Sequence, residues 1–279
     1  MNPTDINTHS NTITDTDTEQ HTPAPTGSGT VRALLVRGML AGLIAGVCAL
    51  AVAYFLGEGP VDAAIAFEEA DAHDHGGEEL VSRAVQSTAG LATGVLVFGV
   101  AVGGIAALAY CVALGRSGRF GPRATALLVA VGLLLSVYVV PFLKYPPNPP
   151  AVGDPDTIGQ RTVLYFLMVV LGVALTVGAV IAGRRLAPRT GAWYAAVIAA
   201  AGLVLAVGLA YAFLPSFDEV PKGFPAAVLW EFRLATLAVQ ATLWTVFGLV
   251  FGELAERLLT PAKARAARPA ATGAVTAAG

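Results

Sequence analysis

The segment GMLAGLIAGVCALAVAYFLG, residues 38–57, runs through twenty residues without one charged side chain. A helix of roughly 20 mostly apolar residues crosses the hydrocarbon core of a bilayer, which is about 30 Å thick. Five further runs of this kind follow along the chain. The six predicted spans cover residues 33–56, 89–114, 124–143, 162–183, 192–214 and 232–255. The pattern predicts an all-α integral membrane protein, a bundle of about six transmembrane helices.

The overall composition favours the same class. Hydrophobic residues make up 55% of the chain and charged residues 13%, against about 25% charged residues in soluble domains. The mean hydropathy is +0.67. We therefore expect a lipid bilayer around the chain and, with a net charge of −2, no nucleic-acid partner. Because the chain lacks a G-x-x-x-x-G-K-[ST] loop, an HExxH pair and a Gly-x-Ser-x-Gly elbow, we expect that it is not an enzyme.

The flanks of the membrane domain, residues 31–259, predict its orientation. Residues 1–30 are rich in Thr, Asn, Asp and Pro, and we expect a disordered tail there and a second one at 260–279. Lys and Arg concentrate on the cytoplasmic side of membrane proteins. In a six-span arrangement, twelve of the 17 basic residues share one side with both tails. Both termini are thus predicted to be cytoplasmic, in a multi-pass protein of the cell (inner or plasma) membrane.

The acidic residues concentrate on the opposite, outer side, above all in FEEADAHDHGGEEL, residues 67–80. Imidazole suits Co, Ni, Zn and Cu, and carboxylates add oxygen ligands. In a turn permitted by Gly76 and Gly77 the ligands converge. In a helix, Glu69 and His73 share one face. A solvated acidic loop is the alternative interpretation. The candidate metal ligands are Glu68, Glu69, Asp71, His73, Asp74 and His75.

Two other outer segments carry polar residues at defined places. The loop FLKYPPNPPAVGDPDTIGQRT, residues 142–162, is stiffened by five prolines. The sixth span begins with a polar stripe, and we expect Arg233 to pair with Glu231 or with an aspartate at 154 or 156. Together these segments predict an entry vestibule, the alternatives being a rigid cap and an interfacial anchor. The candidate pathway residues are Tyr145, Asn148, Asp154, Asp156, Glu231, Arg233 and Gln240.

Glycines recur four residues apart in three of the spans. Small residues at this spacing let helix backbones approach closely in lipid, so they predict helix–helix contacts, with a flexible gate as the alternative. The glycines concerned are Gly38, Gly42 and Gly46 in the first span, Gly99 and Gly103 in the second, and Gly248 and Gly252 in the sixth.

The loop at 142–162 and the segment FPAAVLWEFRLATLAVQATLW, residues 224–244, resemble signature segments of the CbtA family, a predicted cobalt transporter subunit. The likeness extends from about Val31 to about Leu259. It implies a membrane protein for cobalt uptake that supplies cobalamin synthesis, beside a small single-span CbtB-like subunit with a histidine-bearing end. Many members are described with five spans, whereas this sequence predicts six.

With this resemblance, the expected function is that of a transporter subunit for Co²⁺. The ion would be the transported substrate, and no permanently bound cofactor is expected. The alternatives are a membrane binding or scaffold subunit and a carrier of nickel or of a corrinoid.

Overall fold

The computed structural model describes residues 27–71, 82–116 and 120–260. Within these ranges every regular element is helical. The six long helices are α1 Ser28–Ala70, α2 Arg83–Ala113, α3 Pro122–Lys144, α4 Ile158–Thr190, α5 Ala192–Phe213 and α6 Ala226–Leu259. By length and composition each can cross a membrane. The predicted all-α membrane bundle of six helices is confirmed.

The helix ends differ from the predicted spans. Helix α1 has 43 residues, or about 65 Å at 1.5 Å per residue, and therefore extends well beyond a hydrocarbon core of about 30 Å. A π-helical turn at Ala53–Gly57 leads directly into the segment Glu58–Asp71. Hydropathy records only the apolar part of a helix, and the backbone hydrogen bonds continue into polar sequence. Helix α6 likewise begins at Ala226, before the predicted span at 232.

The structure describes only the inner ends of the two predicted tails. Helix α1 begins at Ser28, slightly before the expected domain boundary at 31, and α6 ends at Leu259. Residues 1–26 and 261–279 lie outside the described ranges. Their disorder stays a prediction.

Glycines bring α1 and α2 into backbone contact. A Cβ atom added to Gly42 would overlap the carbonyl oxygen of Gly99 and lie 2.9 Å from the Cα of Gly103. The close approach is reciprocal, because a Cβ atom added to Gly103 would lie 2.8 Å from the Cα of Gly42. On α6, a Cβ at Gly248 would lie 3.0 Å from that of Ala130 in α3. The prediction that these glycines serve helix packing is confirmed.

The main core lies among α1, α2, α3 and α6. Its aromatic centre is formed by Tyr110, Trp244, Phe247 and Phe251, with the rings of Phe247 and Phe251 stacked at 5.2 Å. Helices α4 and α5 form a flanking pair. A turn at Gly191 joins them, and its φ of 81° is a conformation that residues with a side chain rarely adopt. The pair reaches the core through α3, where Gly172 approaches the carbonyl of Ser136.

A second apolar cluster lies at the end of the bundle where α1 extends beyond its apolar part. Ala64 of α1, Val152 of the proline-rich loop and Phe224 before α6 are buried together. Phe67 packs edge-on against Phe224 at a ring distance of 5.1 Å. The extension of α1 therefore supports the loop at 145–157, which the next section describes.

Candidate functional site

A cavity of about 980 Å³ opens at this end of the bundle. Its wall is built from the C-terminal turns of α1 and α3, the first turns of α4 and α6, and two connecting loops. The α3–α4 loop covers residues 145–157 and the α5–α6 loop residues 214–225. The prolines of the first loop, Pro146, Pro147, Pro149, Pro150 and Pro155, all line the cavity. Their fixed φ angles make this wall stiff.

Hydrogen bonds from the end of α3 tie the two loops together. The ammonium group of Lys144 donates to the carbonyl of Tyr211, at 3.0 Å, and to the hydroxyl of Ser216, at 2.7 Å. The hydroxyl of Tyr145 donates to the carbonyl of Pro215 at 2.8 Å. Burial raises the pKa of Tyr145 above its ordinary value, so this phenol stays protonated and remains a donor.

A buried ion pair forms a second connection, between the α5–α6 loop and the start of α4. The carboxylate of Glu219, whose side chain is 7% exposed, accepts from the guanidinium of Arg161 and from the hydroxyl of Thr157. Gly153 lies against this pair with a φ of 145°, and a Cβ there would approach Arg161 to 3.1 Å. The pair thus joins the first turn of α4 to the α5–α6 loop.

The guanidinium of Arg233 reaches the cavity from α6. One of its Nη atoms donates to the side-chain oxygen of Asn148 in the proline-rich loop at 3.1 Å. Its Nε is buried and has no hydrogen-bond partner among the described residues. Within the same ranges Arg233 forms no ion pair. The carboxylate partner expected from the sequence, Glu231 or an aspartate at 154 or 156, is replaced by an amide.

Comparison with known proteins assigns the chain to a family. The model of the CbtA family, described as probable cobalt transporter subunit, matches residues 31–256. The chain belongs to the CbtA family. No curated protein matches the chain, and no solved structure does so either. The family description is that of a probable cobalt transporter subunit, and the six apolar helices make the chain a multi-pass membrane protein.

Both segments that carry the CbtA resemblance meet at the cavity. Residues 142–162 supply the stiff wall, and residues 224–244 supply Arg233. Three of the predicted pathway residues, Tyr145, Asn148 and Arg233, line it together. Because about sixty residues separate the two segments in the sequence, only the fold brings them to one place.

The other predicted pathway residues lie outside the cavity lining. Asp154, Asp156 and Glu231 are exposed, and Asp154 uses a side-chain oxygen to accept the backbone N–H of Asp156 at 2.9 Å. This bond closes a turn just before α4. Gln240 lies further along α6, away from the cavity. Their role in a pathway stays a prediction.

The predicted metal ligands divide at the end of α1. Glu68 lines the cavity, and Glu69 is exposed beside it in the last turns of the helix. The helical backbone reaches Asp71, which favours the helical alternative for the start of the segment. His73, Asp74 and His75 lie outside the described residues. Among the residues that the structure describes, no three His, Cys, Asp or Glu form a metal-binding group.

Several residues of the cavity lining were not predicted from the sequence, among them Glu219, Arg161 and the aromatic residues Tyr138 and Tyr165. One signal was present for the pair. Ionisable groups at a membrane boundary usually pair with each other, and Arg161 lies at the start of a predicted span just as Arg233 does. Nothing in the sequence identifies Glu219 as its partner, since the two are separated by two helices.

The hydrogen bond of Tyr145 can be tested directly. Tyr145→Phe removes the donor to Pro215, and we expect the folded state to lose about 1 kcal/mol, as for an ordinary neutral hydrogen bond. The purified protein in detergent should unfold a few degrees earlier on heating. Tyr194→Phe is the matched control, because Tyr194 is an exposed residue of α5. Equal melting temperatures for the two variants would contradict the tie between the loops.

Proposed function

We propose that this chain is the membrane-embedded subunit of a cobalt uptake system, with Co²⁺ as the transported metal. The cavity would be its entry vestibule. The observation that carries the proposal is that the two segments with the CbtA resemblance meet around one cavity, in a chain whose residues 31–256 match the family. A pocket of this size, walled by aromatic rings and prolines and holding a few polar groups, has the general form of a ligand site.

The proposed orientation places the cavity outside the cell membrane and both termini in the cytoplasm. The excess of Lys and Arg on the opposite side supports it. Carboxylates near the mouth would raise the local concentration of cations. The segment around Glu68, Glu69, Asp71, His73, Asp74 and His75 would capture metal there, and α1 carries its first residues to the rim.

The proposed partner is a small single-span CbtB-like subunit with a histidine-bearing end. The family description as a subunit supports a partner in general terms. The proposed destination of the metal is cobalamin synthesis. Movement through the bundle would require an energy source from a gradient or from another protein, since the sequence contains no phosphate-binding loop of the G-x-x-x-x-G-K-[ST] type.

Uptake of radioactive cobalt by metal-starved cells tests this function. Cells expressing the chain with its partner should accumulate cobalt saturably. A variant with His73→Ala and His75→Ala should need on the order of tenfold more cobalt for half-maximal uptake, equivalent to about 1.4 kcal/mol of binding free energy. His9→Ala with His21→Ala is the matched control, because it removes the other two of the chain's 4 histidines.

Other outcomes separate the alternatives. Accumulation equal to that of empty cells, with and without the partner, would contradict cobalt transport and favour a binding or scaffold subunit. Suppression of cobalt uptake by a small excess of nickel would indicate a nickel carrier. If a corrinoid competes and free Co²⁺ does not, the substrate is a corrinoid.

A further inference from the structure

We infer that the cavity binds cobalt as a complex with a small organic anion that carries carboxylate groups, and not as the hydrated cation alone. The inference rests on the proposed function, since it names the form in which the proposed substrate enters. It follows from the size of the cavity, from the charges on its wall and from the bonding of Arg233.

The size is the first observation. A cavity of about 980 Å³ lies at the upper end of the range of roughly 300–1,000 Å³ in which drug-sized molecules bind. A cation with six waters, at about 30 Å³ for each water, would fill less than a quarter of it. The rigid proline wall and the aromatic rings of Tyr138, Phe142 and Tyr165 provide the apolar surface that an organic molecule contacts.

Among the residues that the structure describes, the metal-ligating side chains on the wall are too few to hold a bare ion. Its described lining holds neither histidine nor cysteine, and the described residues form no group of three metal-ligating side chains. Of its three carboxylates, Glu219 already accepts from Arg161 and Thr157. Glu68 and Asp218 remain, both exposed. Two such carboxylates leave most of the coordination sphere of Co²⁺ to other ligands.

The basic side chains point to the chemistry of those ligands. Within the described ranges Arg233 donates one side-chain hydrogen bond, to a neutral amide, and forms no ion pair. A guanidinium carries five donors in a planar fork that matches a carboxylate. Lys144, on the same wall, bonds only neutral oxygens among the described residues. Neither positive charge is compensated by a carboxylate of the described protein, so an acidic ligand group would compensate them.

A metal complex fits both signs of charge. A free polycarboxylate would meet Arg233 and Lys144 favourably but would be repelled by Glu68 and Asp218. A hydrated cation would be attracted by Glu68 and Asp218 but repelled by Arg233 and Lys144. In a complex, the carboxylates of the organic ligand face the guanidinium, and the metal keeps open positions for Glu68 or Asp218. Such a ligand is complementary to the whole wall.

Equilibrium binding to the purified full-length chain in detergent tests this inference, with cobalt citrate as the probe. Radioactive cobalt alone, radioactive citrate alone and the preformed complex are titrated in parallel. We expect the complex to bind at least about tenfold more tightly than either component. Arg233→Gln should weaken the complex by about tenfold or more, as for loss of charge-assisted hydrogen bonds. Arg233→Lys keeps the positive charge but loses the planar fork of donors. Its affinity for the complex should therefore lie between those of the parent protein and of Arg233→Gln.

Two controls separate ligand binding from a structural role. The melting temperature of Arg233→Gln, measured without ligand, should stay within a few degrees of that of the parent protein, because the variant loses a single hydrogen bond to Asn148. Arg189→Gln alters an exposed arginine in the last turn of α4 and should change nothing. If Arg233→Gln melts far below the parent protein and loses affinity for cobalt alone and for citrate alone as much as for the complex, Arg233 only positions the loop, and the inference is overturned.

The remaining outcomes distinguish this inference from the transport function. If cobalt alone binds as tightly as the complex and Arg233→Gln does not change the affinity, the inference is overturned, even if cells accumulate cobalt. If the purified chain binds the complex tightly and this binding depends on Arg233, the inference is confirmed. If cells expressing the same chain accumulate no cobalt, the transport function is overturned.

Discussion

Gly42→Ala is expected to lower the stability of the folded bundle by about 2–3 kcal/mol, the upper part of the usual range for an overpacked core. The added methyl group would overlap the carbonyl oxygen of Gly99 and lie 2.9 Å from the Cα of Gly103. Both obstacles are backbone atoms, so no side chain can rotate away. Helix α1 would have to move away from α2 along their whole contact. Thermal unfolding of the detergent-solubilised protein, followed by size-exclusion chromatography, measures the loss.

Two other glycines provide a graded control for this prediction. At Gly46 an added Cβ would lie 3.4 Å from the nearest atom of α2, an ordinary contact, and Gly46→Ala should be close to neutral. At Gly94 of α2 nothing lies within 4 Å. Gly94→Ala should therefore stabilise the helix by about 0.5–1 kcal/mol through its higher helix propensity. Equal melting temperatures for the three variants would show that these helices are not packed through Gly42.

Glu219→Gln is expected to cost about 2–3 kcal/mol and to loosen the proline-rich wall of the cavity. The change keeps the shape of the side chain but leaves the guanidinium of Arg161, only 25% exposed, without its counter-charge. Breaking a fully buried ion pair costs about 3–5 kcal/mol, and the partial exposure of Arg161 reduces that cost. The same thermal unfolding experiment applies. Asp156→Asn is the matched control, since Asp156 is an exposed acid at the same end of α4.

A double-mutant cycle shows whether the effect belongs to the pair. Arg161→Gln combined with Glu219→Gln should be less destabilising than the two single changes added together, because the double variant leaves no unpaired charge. Strict additivity would mean that the two side chains do not interact in the folded protein, and would remove the tie between α4 and the α5–α6 loop.

Much of the fold could be predicted from the sequence because membrane insertion depends on local composition. An apolar run such as 38–57 must be helical to satisfy its backbone in lipid, so the number and approximate centres of the spans were predicted correctly. The ends were not, and α1 is the clearest case. Its polar extension Glu58–Asp71 continues the same helix because packing of Ala64 and Phe67 against Val152 and Phe224 stabilises it there.

Less of the candidate site could be predicted. The sequence predicted Tyr145, Asn148 and Arg233 as pathway residues, and the structure shows that all three line one cavity. It did not predict that Arg233 would contact an amide in place of a carboxylate, or that Asp154 would be engaged in a turn. These contacts depend on distances between segments that are far apart in the sequence, and no local pattern encodes such distances.

By itself, then, the sequence determined the class of the protein, its six helices and the small-residue faces on which those helices pack. These properties are local, because hydropathy and glycine spacing act within a single helix. The tertiary structure alone decided which charges meet. It joined Arg161 to Glu219 and left the charge of Arg233 without a carboxylate in the described part of the chain. The physical reason is that a side chain's partner is set by how the helix ends and loops pack in space.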